Sequence, residues 1–238
     1  MSIQKFATAN ITNMSAFYEW LNTYKSESFL KDFDIALSDT NSTNDTLTIT
    51  GANNDVIFNT KVYGGTSGTT ATNILQCNTA SGYQSYVMTY GSYERAVYVA
   101  GAMLCNNGLM IKLYLHSHYN NSNYYATEYV IIGKDDKNNL CIVVPKNNAS
   151  GTSNTVSTNN TGFRAVCYDE SRVATVTVSA QYGEAKTSLC PILVDSNYDS
   201  ALIDIYQSLQ TQLSGVIFDS VTIGSDSYAS NGYWYIKD

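Results

Sequence analysis

Charge is scarce in this chain of 238 residues: 14% of it is Asp, Glu, Lys or Arg, against about 25% in an ordinary soluble domain. Thirteen basic residues face twenty acidic ones, for a formal charge of -7. That excludes the clustered cations of a phosphate-tracking surface, so nucleic acid is not an expected partner. Long apolar runs are missing too. The longest near-apolar stretch, Val97 to Leu104, falls far short of the roughly 20 residues of a membrane helix, and no membrane partner is expected. Met1-Ser2-Ile3-Gln4-Lys5-Phe6 lacks the apolar stretch of a secretory signal, which reads as synthesis in the cytoplasm. Phosphate-loop, dinucleotide, zinc-protease and nucleophile-elbow patterns do not occur, so no cofactor and no enzymatic role are expected. Gly64-Gly65-Thr66-Ser67-Gly68 has the composition of a phosphate cradle without its lysine or its helix. Cysteine is sparse: Cys77, Cys105, Cys141, Cys167 and Cys190 are widely spaced, odd in number and contain no CxxC pair. Buried reduced thiols are expected, not a disulfide framework or a zinc site.

In place of charge the chain carries Asn, Ser, Thr and twenty tyrosines. Neutral amides and hydroxyls cost less to desolvate than ammonium or carboxylate groups, which suits a surface made to lie against protein or sugar. Tyrosine adds a rigid apolar face with a polar tip. Tyr83, Tyr86, Tyr90, Tyr93 and Tyr98 cluster in one stretch, and Tyr119, Tyr124, Tyr125 and Tyr129 in another. The candidate contact residues are Tyr83, Tyr86, Tyr90, Tyr93, Tyr119, Tyr124, Tyr125 and Trp234. Taken singly, each of these tyrosines is better explained by lining the core edge of a sheet; of the whole set, a fraction is expected at an outer contact surface. His116 and His118, the only histidines, would share one strand face with Lys112 and Tyr114. A metal site there needs a further ligand, and exposed side chains at a strand end are the preferred reading. Asp169 with Glu170, and Asp195 with Asp199, are acid pairs that nothing in the sequence selects for glycoside cleavage.

The pattern predicts a mainly β fold, an α+β antiparallel sandwich or partly closed barrel, forming one domain over residues 1–238. A leading helix is expected over 13–26, capped by Asn13 or Ser15, with Met14, Phe17, Leu21 and Tyr24 near one face. Hairpins are expected around the turn Gly51-Ala52-Asn53-Asn54, around Asn106-Asn107-Gly108, and around the mixed-charge turn at 134–139. Further strands are expected near 163–168, 173–179 and 189–194. A second helix is expected over 199–213, from the stripe Leu202, Ile205, Leu209 and Leu213 with Asp199 before it and Gly215 after it. Residues 64–72 read as a polar loop and 146–161 as a polar arm or contact loop. The tail from Val216 reads as three or four short strands, the last held in a sheet.

The tail Gly224-Ser225-Asp226-Ser227-Tyr228-Ala229-Ser230-Asn231-Gly232-Tyr233-Trp234-Tyr235-Ile236-Lys237-Asp238, preceded by Ser188-Leu189-Cys190-Pro191-Ile192-Leu193-Val194, resembles the way virion proteins of tailed phages and prophages of gut Firmicutes end. It covers about the last fifth of the chain. The resemblance implies a structural component of a particle, a head-auxiliary (decoration), collar or tail subunit located in the virion. Its partners would be other virion proteins and copies of itself. It brings no catalytic residues. The alternative is a carbohydrate- or receptor-binding module that stacks Tyr and Trp234 on glycans, and a third reading is a glycan depolymerase with paired carboxylates.

Overall fold

The computed structural model of the chain describes residues 2–7, 14–39, 44–61, 72–79, 84–90, 95–119, 122–135, 137–145, 163–169, 172–180, 189–194, 201–208, 218–232 and 234–238. It is mainly β, as the sequence predicts. A small sheet is a meander of β2 (Asp34–Asp39), β3 (Asn44–Thr50), β4 (Asn54–Lys61), β5 (Thr72–Thr79) and β6 (Gln84–Tyr90), each antiparallel to the next. The large sheet begins with β1 (Gln4–Ala7) beside β7 (Arg95–Leu104). It continues in chain order through β8 (Leu109–Tyr119), β9 (Ser122–Lys134), β10 (Leu140–Pro145), β11 (Phe163–Asp169), β12 (Arg172–Ala180), β13 (Leu189–Val194) and β14 (Ala201–Ser208). The tail then returns through β15 (Asp219–Ile223), β16 (Asp226–Ser230) and β17 (Trp234–Lys237), and β17 pairs with β14. Neither sheet closes into a barrel; β1 and β15 are the open ends of the large one. Of the expected polar loop at 64–72, residues 64–71 lie outside the described residues and Thr72 begins β5; the arm at 146–161 lies outside them entirely.

The long hairpin β7–β8 and its neighbours β9 and β10 form the middle layer, buried on both faces. On one face Ala102, Leu104, Leu109, Ile111, Leu113, Val130, Ile132, Leu140 and Ile142 meet Leu47, Ile49, Val56 and Phe58 of the small sheet. On the other, Met103, Met110, Ile131, Cys141 and Val143 meet Ile205, Ala229, Trp234 and Ile236 of the returning strands. Adjacent residues thus alternate between two cores. This explains why these strands read as continuous apolar runs and not as a half-buried alternation. A register shift between Val99 and Gly101 inserts one residue in β7. The side-chain parity flips there, which brings Val99 into the same core as Ala102.

The leading helix α1 (Met14–Tyr24) packs on this body instead of protruding from it. Met14, Phe17 and Leu21 recur every three to four residues and are buried, giving one apolar stripe. Phe17 stacks on Trp20, and Phe6 of β1 lies against both rings. The helix starts at Met14, so Ser15 lies inside it and is no cap; Asn13 is outside the described residues. Two 3₁₀ turns follow, and Ser28 caps the second by accepting from the Leu30 amide at 3.2 Å.

The second predicted helix is corrected: residues 201–208 are strand β14. Ile205 pairs with Ile236, Tyr206 with Tyr235 and Gln207 with Trp234. On the other side Pro191 pairs with Tyr206 and Leu193 with Ala201, so β14 bulges between them. Asp204, with φ of 55°, sits in that bulge. The spacing of Leu202 and Ile205 fits a helix, but Ile203, Ile205 and Tyr206 favour a pleated surface and two neighbouring strands supply backbone partners. Residues 199, 200 and 209–215 of the expected helix lie outside the described residues.

Candidate functional site

Three groups of polar side chains stand out, and each joins elements far apart in the chain. The first lies where the turn between β3 and β4 meets the turn between β9 and β10. Asn54, 2% exposed, donates from Nδ2 to the Leu140 carbonyl at 2.7 Å and accepts from the Leu140 amide at 3.1 Å. A side-chain amide here imitates a neighbouring strand. Asn53 donates to the Asn139 side chain at 2.8 Å. The buried carboxylate of Asp135 accepts from the amides of Lys137 and Asn139 and from Asn139 Nδ2. Asn138 takes φ of 65° in that turn, a conformation asparagine tolerates. The mixed-charge segment is therefore the turn the sequence predicts, with its acid used as an internal anchor.

The second group fixes the last strand over the tip of the β7–β8 hairpin. Asn107 Nδ2 donates to the Lys237 carbonyl at 2.9 Å, and the Asn106 amide donates to Asp238 Oδ1 at 3.2 Å. Beneath them Cys105 is fully buried, and its thiol donates to the Gly108 carbonyl at 3.4 Å. Burial, before any other cause, pushes the Cys105 thiol up to about 12. Cys105 and Cys141 are buried and form no disulfide, as expected for inert thiols; the side chains of the other three cysteines are outside the described set.

The third group is a small tyrosine cluster on the face of the returning strands opposite Trp234 and Ile236, with Tyr228 and Tyr235 themselves buried. Tyr206, Tyr228 and Tyr235 contact one another edge to face, with ring centroids 6.1 and 6.3 Å apart, and Val221 and Ile223 pack beside them. Tyr206 donates its hydroxyl to Asp204 at 3.0 Å, and Lys237 pairs with Asp226 at 2.9 Å. Desolvation first, then the bond to Asp204 and the nearby carboxylates, pushes the Tyr206 hydroxyl up to about 12. Tyr228 moves up mainly by desolvation, and Lys237 moves up through its bond to Asp226. These groups move away from neutral pH. They hold their charge state as hydrogen-bonding partners, whereas an acid–base catalyst is tuned towards the working pH.

At the two open edges of the large sheet, Lys5 of β1 forms an ion pair with Asp219 of β15. Phe218, just before β15, lies over Gly101, where a Cβ would come 3.0 Å from its ring. Tyr129 flanks that ring and Lys112 lies above it.

Of the predicted contact residues, Tyr119, Tyr124 and Tyr125 gather at one end of the β8–β9 hairpin: His116 pairs with Tyr125, Ser117 with Tyr124 and Tyr119 with Ser122. His116 and His118 lie two apart there in unbroken register, so they share a strand face as predicted. Tyr86 and Tyr90 fall in β6, across from Gln76 and Thr72 of β5. Only the backbone of these residues is described, and Tyr83 and Tyr93 lie outside the described residues. Trp234 is corrected: at 3% exposure it belongs to the second core, under Ile205 and Ile236, and offers no open ring. The sequence reading missed Tyr206, Tyr228 and Tyr235. Their signal was present in the tail, where Tyr235 alternates with Trp234 and Ile236, but it emerges only once β14 is recognised as a strand.

No family model, no curated protein and no solved structure matches the chain.

Proposed function

We propose that the chain is a non-enzymatic structural subunit of a particle. The resemblance of its tail makes that particle a tailed-phage virion, with this chain as a head-auxiliary, collar or tail component. The observation that carries the reading is the use made of its polar groups. Asn53, Asn54, Asn107 and Asp238 all fasten one layer or turn to another, and Asp135 orders the turn that presents Asn139. Sheets stacked and tied together in this way suit a part that transmits and resists contact. The neutral exterior fits association through many hydrogen bonds and aromatic faces. The glycan-stacking alternative loses its best platform with Trp234 in the core.

The test is the size of the purified chain by sedimentation, alone and mixed with candidate head and tail proteins. The subunit reading expects concentration-dependent self-association or incorporation into a larger assembly. A persistent monomer that joins no assembly and instead binds glycans on an array would overturn it.

A further inference from the structure

We propose that the outer edge of β15 is a self-association site, where a second copy of the chain adds its own β15 antiparallel across a two-fold axis at Val221. This rests on the structural-subunit reading and names one of its contacts.

β15 is a terminal strand of the large sheet, with β16 on one side and no strand on the other among the described residues. Gly224, at φ of 64°, opens a two-residue turn between Ile223 and Asp226, and such a turn makes its flanking residues a hydrogen-bonded pair. Antiparallel pairs alternate from there. Asp219, Val221 and Ile223 therefore bond to β16, while Ser220 and Thr222 turn their amides and carbonyls outward. Edges are commonly blunted by proline, lysine or a bulge. Asp219-Ser220-Val221-Thr222-Ile223 contains neither residue, and its register with β16 is unbroken. One guard exists: Asp219 Oδ1 accepts from the Ser220 amide at 2.6 Å and is held by Lys5. That leaves the Thr222 amide and the Ser220 carbonyl on offer, and these two face each other across a two-fold at Val221.

Charge selects the occupant. The two-fold sets Asp219 opposite the second copy's Ile223, Ser220 opposite Thr222, and Val221 opposite itself. No like charges meet, and Lys5 neutralises Asp219. The same operation on β2, also an edge strand, would set Asp34 against Asp39 and is repelled. Val221 and Ile223 belong to the tyrosine cluster, so the two-fold also extends one apolar face into its copy. A five-residue edge buries far less than the roughly 1,200 Å² of a stable interface. The expected contact is therefore weak and concentration-dependent, and strong only when repeated in an array.

Val221 would face its copy in a non-hydrogen-bonded pair, with Cα atoms about 4.5 Å apart, within disulfide reach. The test is mild oxidation of Val221→Cys beside the wild-type chain, with sedimentation of Thr222→Pro and Asp219→Ala. We expect a covalent dimer with Val221→Cys alone. Self-association should be lost in Thr222→Pro, whose replaced amide makes no bond to β16, and tightened several-fold in Asp219→Ala, which frees the Ser220 amide. Melting curves check that Thr222→Pro keeps the fold. If the wild type associates but Val221→Cys does not cross-link and Thr222→Pro has no effect, the edge is wrong and the subunit reading stands. A wild type that stays monomeric yet enters a particle overturns self-association alone, and one that does neither removes both.

Discussion

Asn54 shows how one residue can hold two layers, because its amide supplies both a donor and an acceptor to the backbone of Leu140. Truncating it leaves a buried amide and a buried carbonyl unpaired, at about 1–3 kcal/mol each. Asn54→Ala is expected to lose about 2–4 kcal/mol in urea unfolding. Asn54→Asp should lose more, since it turns a carboxylate towards the Leu140 carbonyl in a buried site. If Asn54→Asp were as stable as wild type, the clip would carry no energy. Cys105 makes a pH prediction. Its thiol has an ordinary value of 9.0 and is held up at about 12 in the fold. Below pH 9 both states keep the proton and the contribution to stability is constant. As pH rises from 9 to 12 the unfolded chain releases the proton first, so stability falls across that window, by on the order of 4 kcal/mol at most. Tyr206 titrates in the same sense, so the measurement is the alkaline slope of the urea midpoint in wild type minus that in Cys105→Ala. The difference should vanish below pH 9, and the native thiol should resist alkylation at pH 8.

Among the elements, hairpins were legible in the sequence and the origin of partners was not. Asn106-Asn107-Gly108 and Gly51-Ala52-Asn53-Asn54 announce turns between apolar runs, and both hairpins formed as expected. Helix α1 was legible for a similar reason, since its burial pattern follows local spacing. β14 was not, because its partner β17 lies about 30 residues further along the chain, and local spacing cannot see it. The stacking of the tail on the middle layer was hidden likewise. It depends on Gly133, where a Cβ would lie 2.4 Å from Ile205 Cδ1, and on Gly108 beneath Ile236. Gly133→Ala should therefore cost about 1–3 kcal/mol by overpacking. Ile205→Val removes the clashing methyl, so the double variant should be more stable than the sum of the two single losses predicts. Simple additivity would mean that β9 and β14 do not press together at this point. For the candidate contacts, composition pointed to tyrosine as a class. It could not tell that Tyr235 joins the tyrosine cluster on one face of the strand while Trp234, one residue earlier, enters the second core on the other, because what each face packs against depends on which sheet the strand joins.

For the whole molecule, the structural-subunit proposal turns on what force would hold it to its neighbours. The exposed ion pairs are few among the described residues: Lys5 with Asp219, Lys25 with Asp34, Lys134 with Asp32 and Lys237 with Asp226. Pairs of this kind contribute about 0–1 kcal/mol each and are screened by salt. The cores, by contrast, are apolar on both faces of the middle layer, and the layer clips are neutral amides or carboxylates bonded to amides. Raising salt from about 0.05 to about 0.5 M shortens the Debye length several-fold. It should leave the unfolding midpoint nearly unchanged and alter the association constant by less than about threefold, measured by sedimentation at each salt. A charge-driven complex of the same size would weaken far more steeply, since its attraction acts through the screened field. At the β15 edge salt acts the other way: it screens the repulsion between two copies of formal charge -7, and it acts on the guard as well. Screening the Lys5–Asp219 pair loosens the guard on the Ser220 amide, so any residual salt effect should strengthen self-association. Steep dissolution of the assembly by salt would place its binding energy in charges, and the neutral-contact mechanism would fail with it.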